Sequence, residues 1–513
     1  MANSSENNKR IAKNTLMLYF RMIFLMLVSL YTSRVVLNAL GVEDYGIYNV
    51  VGGVVAMFSL VSNSLSTSIS RFLTFELGRG DLDKLKRVFS TSVSIQFGIS
   101  IIFVLLAETI GLWFLNTQMN IPQERMLAAN WVLHFSVFTF VVNLISLPYN
   151  ATIISHERMT AFAYISILEA VFKLLIAYLI TISPIDKLIY FALLHFITAL
   201  IIRLIYGIYC KRRFIECTYH FILDKPLLKE MTSFAGWGLL GNTAYLLNKQ
   251  GVNILMNLFF GVAVNAARGV AVQVNVAVCQ FINNFTTAVN PQITKSYAVG
   301  DFQYLHKLIF RSAKFSSFLM FIFSIPLVLE AQTVLEIWLK NPPEYAAVFM
   351  QLTLLGTIVD NALANCLVVS MQATGRIKKY QITVASCGVG VFLFSWLAFA
   401  LGCPPESAYI IWFVIYSLLL YIRLFILKDM LKLSPSTYTR EVIFRVLPVL
   451  LFSVILPLVV HLLMPSGFIR LVCVCAVGIP ATLAASYYIG MTTNEKKFIQ
   501  EKVLSKVLSK FKK

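Results

Sequence analysis

The sequence predicts an all-α polytopic membrane protein: about 14 transmembrane helices, in two parallel-repeat six-helix lobes around a central cavity, plus two extra C-terminal helices. Three observations predict it. Of 513 residues 58% are hydrophobic and 13% charged, with a mean hydropathy of +0.76, which excludes a soluble chain. Apolar runs long enough to cross a hydrocarbon core of about 30 Å, which takes about 20 helical residues, recur from end to end. Sliding the chain by 220 residues then superimposes Gly41 on Gly261, Asn63 on Asn283, Gly80 on Gly300, Asp81 on Asp301 and Leu85 on Leu305 without a gap. Six spans per copy return the chain to its starting side, so the second copy enters in the same orientation as the first.

The expected spans run approximately 14–38, 46–70, 88–115, 127–150, 160–182 and 186–209 in the first half. The second half gives 232–260, 264–290, 308–331, 345–373, 380–401 and 406–428, and 442–464 and 468–491 follow. The expected organisation is an N-terminal lobe over 1–210, a basic connector over 211–230 and a C-terminal lobe over 231–430. Two added helices over 431–491 and a basic amphipathic tail over 492–513 complete it. Every second connection is rich in Lys and Arg, among them Arg71, Arg79, Lys84, Lys86 and Arg87, then Lys211, Arg212 and Arg213. The alternate connections carry only Arg125, Lys187, Lys340 and Arg470. This bias places both termini in the cytoplasm and makes the net charge of +19 a topology signal, with no call for nucleic acid. The tail would lie on the anionic inner leaflet.

Asn242 to Asp301 carries more amide and cationic side chains than lipid tolerates. On a helix, Asn242, Lys249, Asn253 and Asn257 are spaced seven, four and four residues apart and share one stripe. Asn265, Arg268, Asn283 and Asn290 gather in a broad sector of the next helix, so a hydrated cavity is expected. A cation in mid-span costs on the order of 3 kcal/mol, which makes the intramembrane charges informative. Arg203 and Arg423 are expected to snorkel to water. Glu169 and Lys173, four apart, either pair locally or face a cavity. Arg21 shares a side of the first helix with Thr32, and Arg34 points away, free to snorkel or to pair with Glu43 or Asp44. Asp360, beside Asn361 and Asn365, is either a helix-packing hydrogen bond or a proton or sodium coupling site. Cations outnumber unpaired anions, which favours an anionic substrate. The expected cavity residues are Lys249, Asn253, Asn242, Asn257, Asn265, Arg268, Arg21, Arg34 and Asn283. Lys249, Arg268 and Arg21 would make charge-assisted hydrogen bonds to a phosphate-bearing headgroup.

No nucleotide-binding loop, no nucleophile with a convergent base and no large loop domain points to an enzyme. Eight scattered cysteines and six scattered histidines give no metal or disulfide pattern, and no cofactor is expected.

The runs SRVVLNALGVEDYGIYNVVGGVV (Ser33 to Val55), ISRFLTFELGRGD (Ile69 to Asp81), NAARGVAVQVN (Asn265 to Asn275) and NPQITKSYAVGD (Asn290 to Asp301) carry a resemblance. They are similar to the polysaccharide transport family of the multidrug/oligosaccharidyl-lipid/polysaccharide exporter superfamily, which holds bacterial O-antigen and capsule repeat-unit flippases. The resemblance implies two six-helix lobes around a central cavity that is commonly positively charged. It implies alternating access that carries a polyprenyl-pyrophosphate-linked oligosaccharide, a unit of lipopolysaccharide O-antigen, capsule or exopolysaccharide, across the bacterial inner membrane to the periplasmic leaflet. The drive would be the membrane potential or an H+ or Na+ gradient. The partners would be the polyprenyl-linked glycan, membrane lipids and glycan polymerase or assembly proteins. The alternative is a cation-coupled multidrug or small-molecule exporter of the same superfamily, which would prefer carboxylates in its cavity.

Overall fold

The computed structural model describes residues 2–56, 58–117, 119, 121–183, 185–221 and 224–500. Among the described residues there is no strand. The helices of the first half are α1 (Ala2–Ala56), α2 (Ser59–Arg79), α3 (Leu82–Leu106), α4 (Leu112–Thr117), α5 (Gln123–Ser155), α6 (Met159–Leu179) and α7 (Lys187–Arg213). Then come α8 (Lys225–Val299), α9 (Phe302–Leu329), α10 (Ala331–Leu339), α11 (Ala346–Thr357), α12 (Asn365–Thr374), α13 (Lys378–Ala400) and α14 (Ser407–Leu431). The last are α15 (Pro435–Tyr438), α16 (Phe444–Leu463), α17 (Phe468–Ala485) and α18 (Thr493–Ile499). The expected tail beyond residue 500 lies outside the described residues.

Eleven helices among the described residues are long and apolar enough to cross a membrane. The three expected spans not among them, 46–70, 232–260 and 264–290, are helical over their described residues apart from a turn at Phe58. The first is divided between α1 and α2, whereas the amides and cations of the other two, such as Asn242, Lys249, Asn253 and Arg268, lower their hydropathy.

The 220-residue offset reappears in the backbone. Gly41 has φ 83° and ψ 169°, and Gly261 has φ 83° and ψ −176°. Side-chain-bearing residues are essentially barred from this region, so both helical rods break at a residue only glycine suits. A straight helix would hold residues 249 and 268 about 28 Å apart, yet the Arg268 side chain donates to the Lys249 carbonyl at 3.2 Å. The chain therefore reverses at Gly261. Gly80 (φ 75°) and Gly300 (φ 80°) then end matching helices in the left-handed conformation. Asp81 and Asp301 cap the next helices, accepting from the Lys84 and Tyr304 amides at 3.0 and 2.9 Å.

The chain divides into two compact units, Met1–Thr243 with Thr287–Gly300, and Ala244–Thr286 with Asp301–Lys513. These differ from the expected 1–210 and 231–430 segments because the division falls inside α8. In the first unit Val51, Phe103, Ala129, Val132, Leu133 and Val137 form a buried core. Arg125 at the start of α5 binds Asp44 and Asp186, each at 2.5 Å. This corrects the expected Arg34–Asp44 option: Asp44 is taken by Arg125, and Arg34 is exposed. Asp186 also caps α7 through the Leu188 and Ile189 amides. Burial pushes its carboxyl up, but the Arg125 hydrogen bond and these amides outweigh that and hold it below the usual carboxylate range.

At the α5–α6 turn Glu157 is fully buried, and its carboxylate meets Arg10 at 2.7 Å, Lys295 at 2.7 Å and Gln292 at 2.6 Å. Asn14 donates to its carbonyl at 3.1 Å. One residue thus ties the start of α1 and the end of α8 to this turn. In the second unit α16 and α17 pack on α9, and Glu495 of α18 pairs with Lys314 of α9 at 2.8 Å. Burial raises the Glu495 carboxyl, but Lys314 and the Thr492 hydrogen bonds together lower it more, and the balance lies below the usual range.

Candidate functional site

In the second unit, the reversal at Gly261 sets Arg268 against the helix that carries Lys249. The guanidinium donates to the Lys249 carbonyl at 3.2 Å, touches the Met256 sulfur at 3.7 Å and lies 5.7 Å from the Tyr409 ring centroid. Lys249 and Arg268 are within electrostatic reach of each other. Both are half-buried, and among the described residues neither forms a salt bridge to a carboxylate. Asn253, Asn257 and Asn265 are half-buried too, and the Asn265 side-chain oxygen is buried without a hydrogen-bond partner among the described residues. Asn283 is exposed. Two like charges held close repel, so the arrangement favours an anion that meets both.

Asp360 sits on a π-helical turn, Ile358–Leu363, 3.7 Å from the Arg423 guanidinium. This corrects the expectation for Arg423, which is 3% exposed and does not reach water. It lies inside the unit, 5.7 Å from the Tyr380 ring centroid, with two of its nitrogens without a hydrogen-bond partner among the described residues. Its carboxylate partner comes from another helix, a contact that local spacing does not signal. Asn361 accepts from Asn365 at 3.2 Å.

The first unit contains a cavity of about 460 Å³ whose lining includes Arg21, Thr32, Ser166, Glu169, Lys173 and His195. A second cavity of about 230 Å³ shares Tyr48 and His195 with it. Glu169 and Lys173 pair at 2.6 Å on α6 and both line the larger cavity, so the two readings weighed for them hold together. Arg21 and Thr32 face the cavity from α1, and Arg34 is not in its lining. The Arg21 guanidinium stacks on Phe162 at 4.4 Å, and its Nε has no hydrogen-bond partner among the described residues. Asn242 belongs to this unit, where it donates to Ser64 at 3.2 Å. Sequence reasoning missed His195, whose lone position gave no signal; it packs against Phe191 with ring centroids 4.6 Å apart. Arg203, also expected to snorkel, stacks on Tyr149 at 3.8 Å.

These features define a multi-pass membrane protein of two helical units with cationic polar interiors. A family model described as "Polysaccharide biosynthesis protein" matches residues 11–297, more than half of the chain. The chain belongs to this family, within the polysaccharide transport branch of the exporter superfamily. An uncharacterized membrane protein, EpsK of Bacillus subtilis, is 20% identical over 314 residues, 61% of this chain and 62% of that protein. The match therefore spans under two thirds of the relative's length. Among solved structures, an outward-facing multidrug resistance MATE family transporter of the MOP superfamily superimposes with a TM-score of 0.72 at 12% identity, over 83% of this chain and 96% of its own. A MOP superfamily transporter from Pyrococcus furiosus, noted for the reversed polarity of its binding pocket, gives 0.68 at 12% identity, over 83% and 96%. Both likenesses concern the fold.

Proposed function

We propose that this protein is a flippase that carries a polyprenyl-pyrophosphate-linked oligosaccharide, an O-antigen, capsule or exopolysaccharide repeat unit, from the cytoplasmic to the periplasmic leaflet of the bacterial inner membrane by alternating access. The observation that carries this reading is the pair Lys249 and Arg268, two cations within reach of each other and, among the described residues, in no salt bridge to a carboxylate. A pyrophosphate headgroup would neutralise both, the neighbouring asparagines would take sugar hydroxyls, and the prenyl tail would stay in lipid. Such a head crossing hydrocarbon unaided loses its hydration at a cost of many kcal/mol. A wet cationic groove replaces part of that hydration.

Outward movement of net negative charge is favoured by the membrane potential, at about 2.3 kcal/mol per charge per 100 mV. The potential is therefore a sufficient drive, and no catalytic step is required. The partners are the glycan lipid, the surrounding membrane lipids and the polymerase or assembly proteins that receive the unit, with both termini cytoplasmic. Deleting the gene should cause one lipid-linked glycan to accumulate on the inner leaflet. A wild-type copy should clear it, and a folded Lys249→Glu copy should not. No accumulation, or full clearance by Lys249→Glu, would refute the proposal.

A further inference from the structure

The cavity of the first unit holds Arg21, Lys173 and Glu169 together. Arg21 enters from α1 with its guanidinium braced on Phe162 at 4.4 Å and its Nε without a partner among the described residues. Lys173 enters from α6 and is held by Glu169, one turn earlier on the same helix, at 2.6 Å. Glu169 is also the one carboxylate within electrostatic reach of Arg21 among the described residues. The carboxylate therefore balances part of the charge of two cations that face the same space. Both members of the pair line that space, and 45% of the Lys173 side chain and 39% of the Glu169 side chain are accessible. A solvated pair of this kind is weak and easily exchanged. Thr32 and Ser166 lie on the same wall with their hydroxyls donating to the Val28 and Phe162 carbonyls at 2.7 and 2.9 Å, which leaves the anion to the two cations, and Tyr48 adds an aromatic face. At about 460 Å³ the cavity falls in the size range of small-ligand sites. It has room for a pyrophosphate and an attached sugar ring.

We propose that this cavity is a second anion subsite, for a phosphate or pyrophosphate group, and that Glu169 is its built-in competitor. With the cavity empty, Glu169 occupies Lys173. When the anion enters, Lys173 and Arg21 turn to it, and Glu169 swings to water. Glu169 thus sets the affinity: it keeps the subsite weak enough to release its ligand, a requirement of any carrier that must let go on the far side. The identity of the ligand as a lipid-borne pyrophosphate rests on the function proposed above, whereas the anion chemistry rests on the cavity alone.

The test is titration of the purified full-length protein in nanodiscs by calorimetry, with inorganic pyrophosphate in one arm and undecaprenyl pyrophosphate in the other. All variants are made in a Lys249→Gln background so that the second unit contributes less. Glu169→Gln should bind pyrophosphate about tenfold more tightly than its parent, since removing the competitor takes away one charge at contact distance. Lys173→Gln should lose the binding, and Glu169→Asp, which keeps the charge, should stay near the parent. An affinity unchanged or weakened by Glu169→Gln, in protein that remains monodisperse, would overturn the proposal, as would retention of binding in Lys173→Gln. If inorganic pyrophosphate follows this pattern and the lipid does not bind, the subsite stands and the lipid-linked substrate fails. If the deletion strain accumulates its glycan while Glu169→Gln is silent, the competitor fails and the flippase stands.

Discussion

Arg423→Met should destabilise the protein by about 3–5 kcal/mol, the usual cost of removing one partner of a buried ion pair. Methionine fills much of the arginine's volume, so lost packing explains little of this. The cost comes from Asp360, whose carboxylate lies 3.7 Å from the guanidinium and would be left in the interior without its counter-ion. The double variant Arg423→Met with Asp360→Leu removes both charges and should recover most of the loss, because well-packed apolar residues replace buried pairs at little or no cost. Apparent melting temperature in detergent measures both. The result also bears on coupling. A carboxylate that already carries an arginine has less need of a sodium ion or a proton, so the wild type should move substrate at the same rate across a sodium gradient in either direction. Wild-type stability in Arg423→Met would mean that Asp360 is free to take an external cation.

Glu157→Ala should cost about 2–3 kcal/mol, somewhat less than a fully enclosed pair, because Arg10 is about half exposed and can rehydrate. Lys295 at 2.7 Å and Gln292 at 2.6 Å lose their acceptor, and the start of α1 and the end of α8 lose a shared anchor. Glu157 also adopts φ 59°, a left-handed conformation that costs a side-chain-bearing residue roughly 1–2 kcal/mol. Its ion pairs hold it there against that preference. Glu157→Gly should therefore be less damaging than Glu157→Ala by roughly 1 kcal/mol, and the difference between their denaturation midpoints reads the backbone contribution apart from the charges. Equal midpoints would show that the conformation carries no penalty.

The features visible in the sequence are those that depend on spacing along one helix or on a fixed offset. Glu169 and Lys173 are four apart, so their pairing followed from helical geometry. Gly41 and Gly261, Gly80 and Gly300, and Asp81 and Asp301 were matched by the 220-residue shift, and each pair has nearly the same backbone geometry or capping role in the structure. Helical placement also put Arg21 and Thr32 on one side and Arg34 on another. What stayed hidden depends on contacts between distant segments. Arg423 looked close enough to a helix end to reach water, but Asp360, 63 positions earlier in the chain, meets it inside the unit. Asp44 looked available to Arg34 until α5 brought Arg125 to it. Glu157 drew no expectation at all, since nothing local indicates that Arg10 and Lys295 converge on it. Span counting was limited differently: the two asparagine-bearing stretches of α8, 232–260 and 264–290, are helical but are not among the eleven apolar helices, owing to the same chemistry that marked them as lining something wet.

The most direct measurement is flipping itself. Liposomes carrying the purified protein and a labelled undecaprenyl-pyrophosphate oligosaccharide can be probed with a membrane-impermeant lectin that reports the fraction of sugar in the outer leaflet over time. Wild-type protein should bring the inner-leaflet pool out far faster than protein-free liposomes, faster still under a potential that draws negative charge outward, and Lys249→Glu should fall to the protein-free rate. A wild-type rate equal to that of empty liposomes, with intact, folded protein in the membrane, would contradict the account.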